Sequence, residues 1–300
     1  MSKRLLDCNA SDFTDMKAQE LKTAIKAAEG RTICSENVVR GTVHSGITNA
    51  EAARAFGADL ILLNGFDSFN PFIAGMDDID GPNIIHRLKE LVGRPVGVNL
   101  EPVDMSADML ESQHVIAKGR MCSKETLIAA EDFGFNFICL TGNPGTGVTN
   151  KEILSSIKRA RKHFSGMIIA GKMHGAGVNE PVVPDEEVLK AFINAGADVI
   201  LMPAVGTIPG FTEADLTSAI KTVHSLSGLV MTAIGTSQEG SSKAVIEQIA
   251  LRNKIAGADI QHIGDAGYGG LALVENIFTM SVAIRGIRHT TTMMARSINR

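Results

Sequence analysis

GADLILLNG (57–65), GADVILMPAVG (196–206) and GADIQHIGDAG (257–267) are copies of one pattern: a Gly-Ala-Asp triplet that runs into a short apolar stretch. A degenerate copy, GFNFICLTG, occupies 134–142. Each copy follows an Ala-rich helical segment such as EAARAF or VLKAFIN. Such a glycine ends a helix in the left-handed conformation, which costs it no Cβ clash, and the Asp then opens a strand. Internal repetition of this kind is read before any local propensity because it sets the architecture.

Between these copies lies a second strand type: RTICSENVV from Arg31, RPVGVNLEP from Arg94, GMIIAGKMHG from Gly166 and GLVMTAIGTSQEG from Gly228. Equivalent points recur at about 60 to 75 residues, the length of a β-α-β-α pair, and four such pairs supply eight strands. The strands are continuous apolar runs without polar alternation, as expected of strands buried on both faces. The intervening segments, from TNAEAARAFG to LALVENIFTMSVAIRGI, read as helices, several opening on Thr, Ser or Pro with an acid in the first turn. Strict β/α alternation over eight units predicts a (β/α)8 TIM barrel. An open doubly wound sheet is the competing architecture, but no GxGxxG follows the first strand.

The barrel is assigned to residues 31–289. Residues 1–30 form an N-terminal helical extension, with TDMKAQELKTAIKAAEG packing beneath or beside the barrel. Residues 290–300 read as a basic tail, solvated or in contact with another copy. The connections 66–82 and 102–121 are longer than a barrel needs, and both fall on the C-terminal face, where long loops are commonly lids or binding loops.

The chain has 300 residues, 44% of them hydrophobic, and a formal net charge of −4. That balance argues against nucleic acid as a partner, and the near absence of Trp and Tyr removes platforms for stacking bases. No apolar run reaches membrane-span length and no secretory leader precedes the first helix, so the expectation is a cytoplasmic protein with no membrane partner. Cys8, Cys34, Cys122 and Cys139 are widely spaced and read as reduced thiols. Thirteen Met and apolar helices suit a homo-oligomer.

Polar residues at the strand C-termini converge on one volume in such a barrel. Lys172, Glu101, His174, Glu36 and Asp265 are the candidate catalytic groups, since charge at the end of an apolar run calls for explanation. A lysine among apolar neighbours has the chemistry of a Schiff-base former, with the acids and His174 moving protons. Pairing of Lys172 with Glu101, Glu36 or a substrate phosphate is the alternative. Strands seven and eight run into IGTSQEGSS and IGDAGYGGLALVENIF, glycine-rich turns leading to helices. Gly235, Thr236, Ser237, Ser241, Gly267, Gly269 and Gly270 are therefore candidate phosphate contacts, with GNPGTG from Gly142 a second loop of the same type.

On these loops the chain resembles phosphate-binding barrels in general, a group that includes sugar-phosphate isomerases, epimerases and aldolases, and matches no named family residue by residue. The resemblance implies a lyase, aldolase or isomerase acting on a small phosphorylated metabolite. An Mg²⁺- or Mn²⁺-dependent lyase or mutase of phosphoenolpyruvate-like acids is the alternative, with Glu36, Glu101 and Glu239 as candidate ligands. A non-catalytic barrel that binds a phosphorylated metabolite is the third reading.

Overall fold

The computed structural model describes residues 3–79, 81–266 and 268–300. Its strands are β1 (Thr32–Val38), β2 (Leu60–Asn64), β3 (Val96–Asn99), β4 (Phe137–Leu140), β5 (Met167–Gly171), β6 (Val199–Pro203), β7 (Leu229–Ile234) and β8 (Ile260–Ile263). They pair in sequence order as a closed parallel barrel, β8 returning to β1. The fold is the (β/α)8 barrel that the repeat predicts.

The repeated aspartate has a structural job. Asp59 takes the backbone N–H of Ile33 on its side chain at 2.8 Å, while its own N–H donates to the Ile33 carbonyl at 2.9 Å. Asp198 makes the same pair of bonds to Ile168 of β5, Asp259 to Val230 of β7, and Asn136 of the degenerate copy to Val96 of β3. Each triplet thus clips the start of an even strand to the start of the odd strand before it. A buried backbone N–H beyond the ladder needs such a partner, which explains why the side chain recurs with the period of the fold.

The helices follow the strands. They are α2 (Asn49–Ala55), α3 (Ile84–Val92), α4 (Lys124–Asp132), α5 (Asn150–His163), α6 (Glu186–Ala195), α7 (Glu213–Ser225), α8 (Lys243–Ala256) and α9 (Val274–Ala295), with α1 (Ala18–Ala27) ahead of β1. Thr48, Ser123, Thr149, Asp185 and Thr212 accept first-turn N–H groups as N-caps. Gly196 and Gly257 end α6 and α8 at φ 115° and 108°.

Two apolar layers result. Ile61, Ile138, Ile168 and Ile200 face the helices, while Leu62, Phe137, Ile169 and Leu201 fill the barrel interior. Gly97 of β3 makes room for the Phe137 ring, since a Cβ there would lie 2.3 Å from it. Burying a ring of that size contributes roughly 1.5–3 kcal/mol. Leu5, Phe13, Leu21 and Ile25 continue the interior layer downward, so the N-terminal segment and α1 seal the floor.

The stretch read as a tail is built into the molecule. Residues 290–295 complete α9, which breaks its helical geometry at Gly286 (φ 73°). Beyond it, Arg296 donates to the Cys8 carbonyl, and Ser11 N–H to the Arg300 carbonyl at 2.8 Å. Among the described residues no helix is long and apolar enough to cross a membrane.

Candidate active site

At the C-terminal end of the strands lies a cavity of about 480 Å³. Glu36 (β1), Asn64 (β2), Asn99 (β3) and Asn143 (after β4) face it, as do His174 (after β5), Glu239 (after β7) and Asp265 (after β8). Inward-pointing positions are mostly apolar below and polar toward the top, with Thr32 at the foot of β1 an exception, so the polar groups gather toward the mouth. Glu111, from the long 102–121 connection, also lines the cavity. That connection is held across the mouth by bridges from Val103 to Val148 and Met109 to Val178.

One hydrogen-bonded chain crosses the site. Arg120 donates to Glu101 Oε1 at 2.7 Å, and Asn143 donates to the same oxygen through Nδ2 at 2.8 Å and to Oε2 through its backbone at 2.9 Å. The Asn143 and Asn64 amides face each other reciprocally at 2.9 and 3.1 Å, and Asn64 Nδ2 reaches Asp265 Oδ2 at 2.7 Å. Both Asn64 and Asn143 are therefore fixed in orientation by carboxylates at the two ends.

Asp265 is the titratable group this arrangement perturbs most usefully. Burial, reinforced by the negative charges of Glu36 and Glu239, raises its pKa to about 7, against the opposing pull of the Asn64 hydrogen bond and His262. A carboxyl held there exchanges a proton at neutral pH in either direction. His174 moves the other way: burial lowers its pKa below the usual imidazole value, outweighing the attraction of Glu36 and Glu101. Its Nδ1 accepts the Ala176 N–H at 3.0 Å, so the neutral ring carries its proton on Nε2.

A family model described as Domain of unknown function (DUF7916) matches residues 6–300. The chain belongs to the DUF7916 family. No curated protein matches it. Among solved structures, a candidate fructose-1,6-biphosphate aldolase from Coccidioides immitis is similar at 13% identity and TM-score 0.52, covering 94% of this chain and 98% of that one. The carboxyl transferase domain of Rhizobium etli pyruvate carboxylase is similar at 12% identity and TM-score 0.50, covering 96% and 52%. Orotidine 5′-phosphate decarboxylase from Pyrococcus horikoshii OT3 reaches 14% and 0.47, covering 80% and 92%. At these identities the likeness to the aldolase and to the carboxyl transferase domain is one of fold, and it agrees with the barrel.

The DUF7916 barrel brings together some of the residues singled out from sequence and separates others. Glu36, His174, Asp265 and Glu239 face the cavity. Glu36 Oε2 is paired with His262 Nε2 at 2.8 Å, both fully inside the barrel. Glu101 lies behind Asn143, both of its oxygens engaged. Lys172 does not line the cavity. It follows Gly171 on the helix-facing side of β5 and forms an ion pair with Glu180, which also accepts the Asn150 N–H at the start of α5. Burial lowers the Lys172 pKa and the Glu180 contact works against that shift. The partner is thus neither Glu101 nor Glu36.

The expected phosphate contacts divide in the same way. Gly235, Thr236 and Ser237 line the cavity. Ser241 turns to α9, its carbonyl and that of Glu239 taken by Asn276 at 2.9 and 2.8 Å. Gly269 and Gly270 pack on the β1–α2 connection, where Asn49 donates to the Gly269 carbonyl at 2.8 Å. Gly267 lies outside the described residues. The backbone N–H of Ala266, in the turn expected to cradle a phosphate, is already taken by Glu239 Oε1 at 2.9 Å. A carboxylate of the chain itself sits where an anion was expected, and among the described residues the cavity lining contains no Lys or Arg.

The carboxylates proposed from sequence as metal ligands do not form one donor set. Glu101 is held by a guanidinium and two amide N–H groups, and Glu36 is taken by His262. Among the described residues no group of three or more His, Cys, Asp or Glu is placed to hold a metal ion. Glu239 keeps one oxygen, Oε2, without a partner, as Asn99 does its Oδ1.

Asn143, Glu111, Arg120 and Glu180 carry much of the site and do not stand out in the sequence. GNPGTG, read as a glycine-rich loop, is the signal for Asn143. Arg120 and Glu180 sit in connections whose sequence has no periodicity to read.

Proposed function

We propose that this barrel is an enzyme of lyase or isomerase type that moves a proton on a small oxo- or hydroxy-metabolite bound in the mouth cavity. The observation that carries this reading is Asp265, a half-buried carboxyl poised near pH 7 at the edge of a cavity large enough for such a molecule. In its ionised form Asp265 takes a proton from a carbon next to a carbonyl, leaving an enolate. The Nε2–H of neutral His174 hydrogen-bonds the oxygen on which that charge develops, as a preorganised donor. Asp265, now protonated, returns the proton to a neighbouring carbon or to a departing group. Unpartnered Glu239 Oε2 and Asn99 Oδ1 accept hydrogen bonds from substrate hydroxyls, and favour a substrate that brings donors.

A phosphorylated substrate is the second reading, favoured by the Gly235–Ser237 turn on the cavity rim. The acids Glu36, Glu111, Glu239 and Asp265 around the same cavity oppose it electrostatically. The described residues do not form a donor set for Mg²⁺ or Mn²⁺, Glu36 being held by His262 and one oxygen of Glu239 by the Ala266 N–H, so either ion is expected to make no difference to the test.

The test is wash-in of solvent deuterium, followed by proton NMR, over pairs of phosphorylated and unphosphorylated oxo- and hydroxy-acids and sugars, each with and without Mg²⁺ or Mn²⁺. Exchange that follows a pH limb near 7 and is abolished in Asp265→Asn supports the proposal. Exchange that survives the substitution, or binding of a compound with no exchange in the wild type, rejects Asp265 catalysis, the second outcome favouring a binding barrel.

A further inference from the structure

We infer that the floor of the barrel, at the opposite end from the cavity above, carries a second binding site, for a phosphate-bearing anion, built around Arg94. A hollow of about 380 Å³ opens there between the N-terminal segment, α3 and the last residues of the chain, and Arg94, Lys89 and Arg300 line it. This is within the size range of small-molecule sites.

Arg94 is only 4% exposed, yet among the described residues no carboxylate pairs with it. Its hydrogen-bond contact is a long one, Nη2 to the Met293 carbonyl at 3.5 Å, its Nε has no partner, and the face of the guanidinium rests 5.9 Å from the centre of the Phe13 ring. A buried guanidinium without an anion is costly and is retained where something else supplies the charge. The surroundings make the deficit larger. Arg54, Arg285 and Arg296 all lie near enough to repel Arg94, Asp59 is the one acid that attracts it, and Asp59 is already paired with Arg285 at 2.7 Å. Arg54 likewise leaves its buried Nε unpartnered.

The acid in the hollow itself does not meet the need, because Glu90 is engaged by Arg87 at 2.8 Å and by His86 at 3.3 Å. Three cations, two of them planar forks of donors, suit a polyvalent oxyanion better than a single carboxylate. Ser11, Thr14 and Asn299 add hydroxyl and amide groups around the same hollow. Phosphate chemistry, expected from sequence at the loops after β7 and β8, thus finds its cationic surroundings at the other end of the barrel.

Calorimetric titration of the full chain with inorganic pyrophosphate at constant ionic strength tests this. The expected result is binding at one per chain, weakened tenfold or more in Arg94→Met and threefold or more in Lys89→Met, and unchanged in Asp265→Asn. Lys89 is half-buried and its amine donates to the Gly134 carbonyl at 2.9 Å near the surface, so Lys89→Met removes one charge beside the hollow and decides the matter if Arg94→Met fails to fold. No binding of pyrophosphate, or binding that both floor variants leave intact, overturns the inference. Binding lost in Asp265→Asn alone places the anion in the upper cavity and overturns it too, without touching the acid–base reading of that cavity.

Discussion

Asn64 donates to Asp265 at 2.7 Å, yet Asp265 holds its proton up to about pH 7. An amide donor favours the carboxylate, so burial and the charges of Glu36 and Glu239 outweigh it here. The hydrogen bond therefore orients the carboxyl without ionising it, and leaves the second oxygen free among the described residues. Removing the donor with Asn64→Ala moves the Asp265 titration, followed by carbon-13 NMR of the carboxyl, to higher pH. A fall would mean that Asn64 acts on Asp265 by keeping water out more than by donating to it.

The raised pKa also makes stability depend on pH. The unfolded chain releases this proton near the ordinary carboxyl value of 3.8 and the folded chain near 7, so the folded state gains less from alkaline conditions. The contribution of Asp265 to stability is present below about pH 4 and is lost as pH rises through about 7. Asp265→Asn, which has no charge to bury, is expected to be more stable than wild type at pH 8 by up to a few kcal/mol, since each tenfold change in proton affinity is worth ~1.4 kcal/mol. Denaturant unfolding at pH 4 and pH 8 checks this: equal differences at both values would reject the raised pKa.

Arg120→Met leaves Glu101, 1% exposed, without its guanidinium. Breaking a buried pair from one side costs about 3–5 kcal/mol, and here it also loosens Asn143 and, through it, Asn64. The chemical-denaturation midpoint reports the loss. A change under about 1 kcal/mol would mean that water replaces the guanidinium at this carboxylate.

Lys172 stands apart from the cavity, so borohydride reduction in the presence of a turned-over oxo-substrate is expected to leave it unlabelled, as read by peptide mass spectrometry. A stable adduct on Lys172 would show that the β5–α6 connection opens during turnover and would restore Schiff-base chemistry.

Gly97→Ala sets a Cβ against the Phe137 ring at 2.3 Å. Overpacking of this kind costs typically about 1–3 kcal/mol. Combining it with Phe137→Leu is expected to recover part of the loss, since the two changes share one space and do not add. Strict additivity in the four-way comparison would show that the ring and the methyl do not compete.

The architecture was legible because it rests on repetition. Four glycines ending helices, and three aspartates and an asparagine clipping strand starts, carry the same message at fixed spacing. Glu36, His174 and Asp265 were legible for a related reason, since strand ends in a barrel point to one place. Lys172 was not: it falls on the side that Ile168 and Ala170 turn to the helices, and its partner Glu180 sits in a connection with no periodicity to read. The turn after β8 misled in another way, because nothing in GDAGYGG tells that Glu239, from the loop before, occupies the Ala266 N–H. Which side chain satisfies a loop's backbone is a matter of three-dimensional neighbours, and a glycine count does not contain it.

Leu5, Phe13, Leu21 and Ile25 close the floor beneath the interior layer, so the mouth is the way into the upper cavity. On the function proposed above, substrate and product share that mouth, and product inhibition is expected to be competitive with substrate.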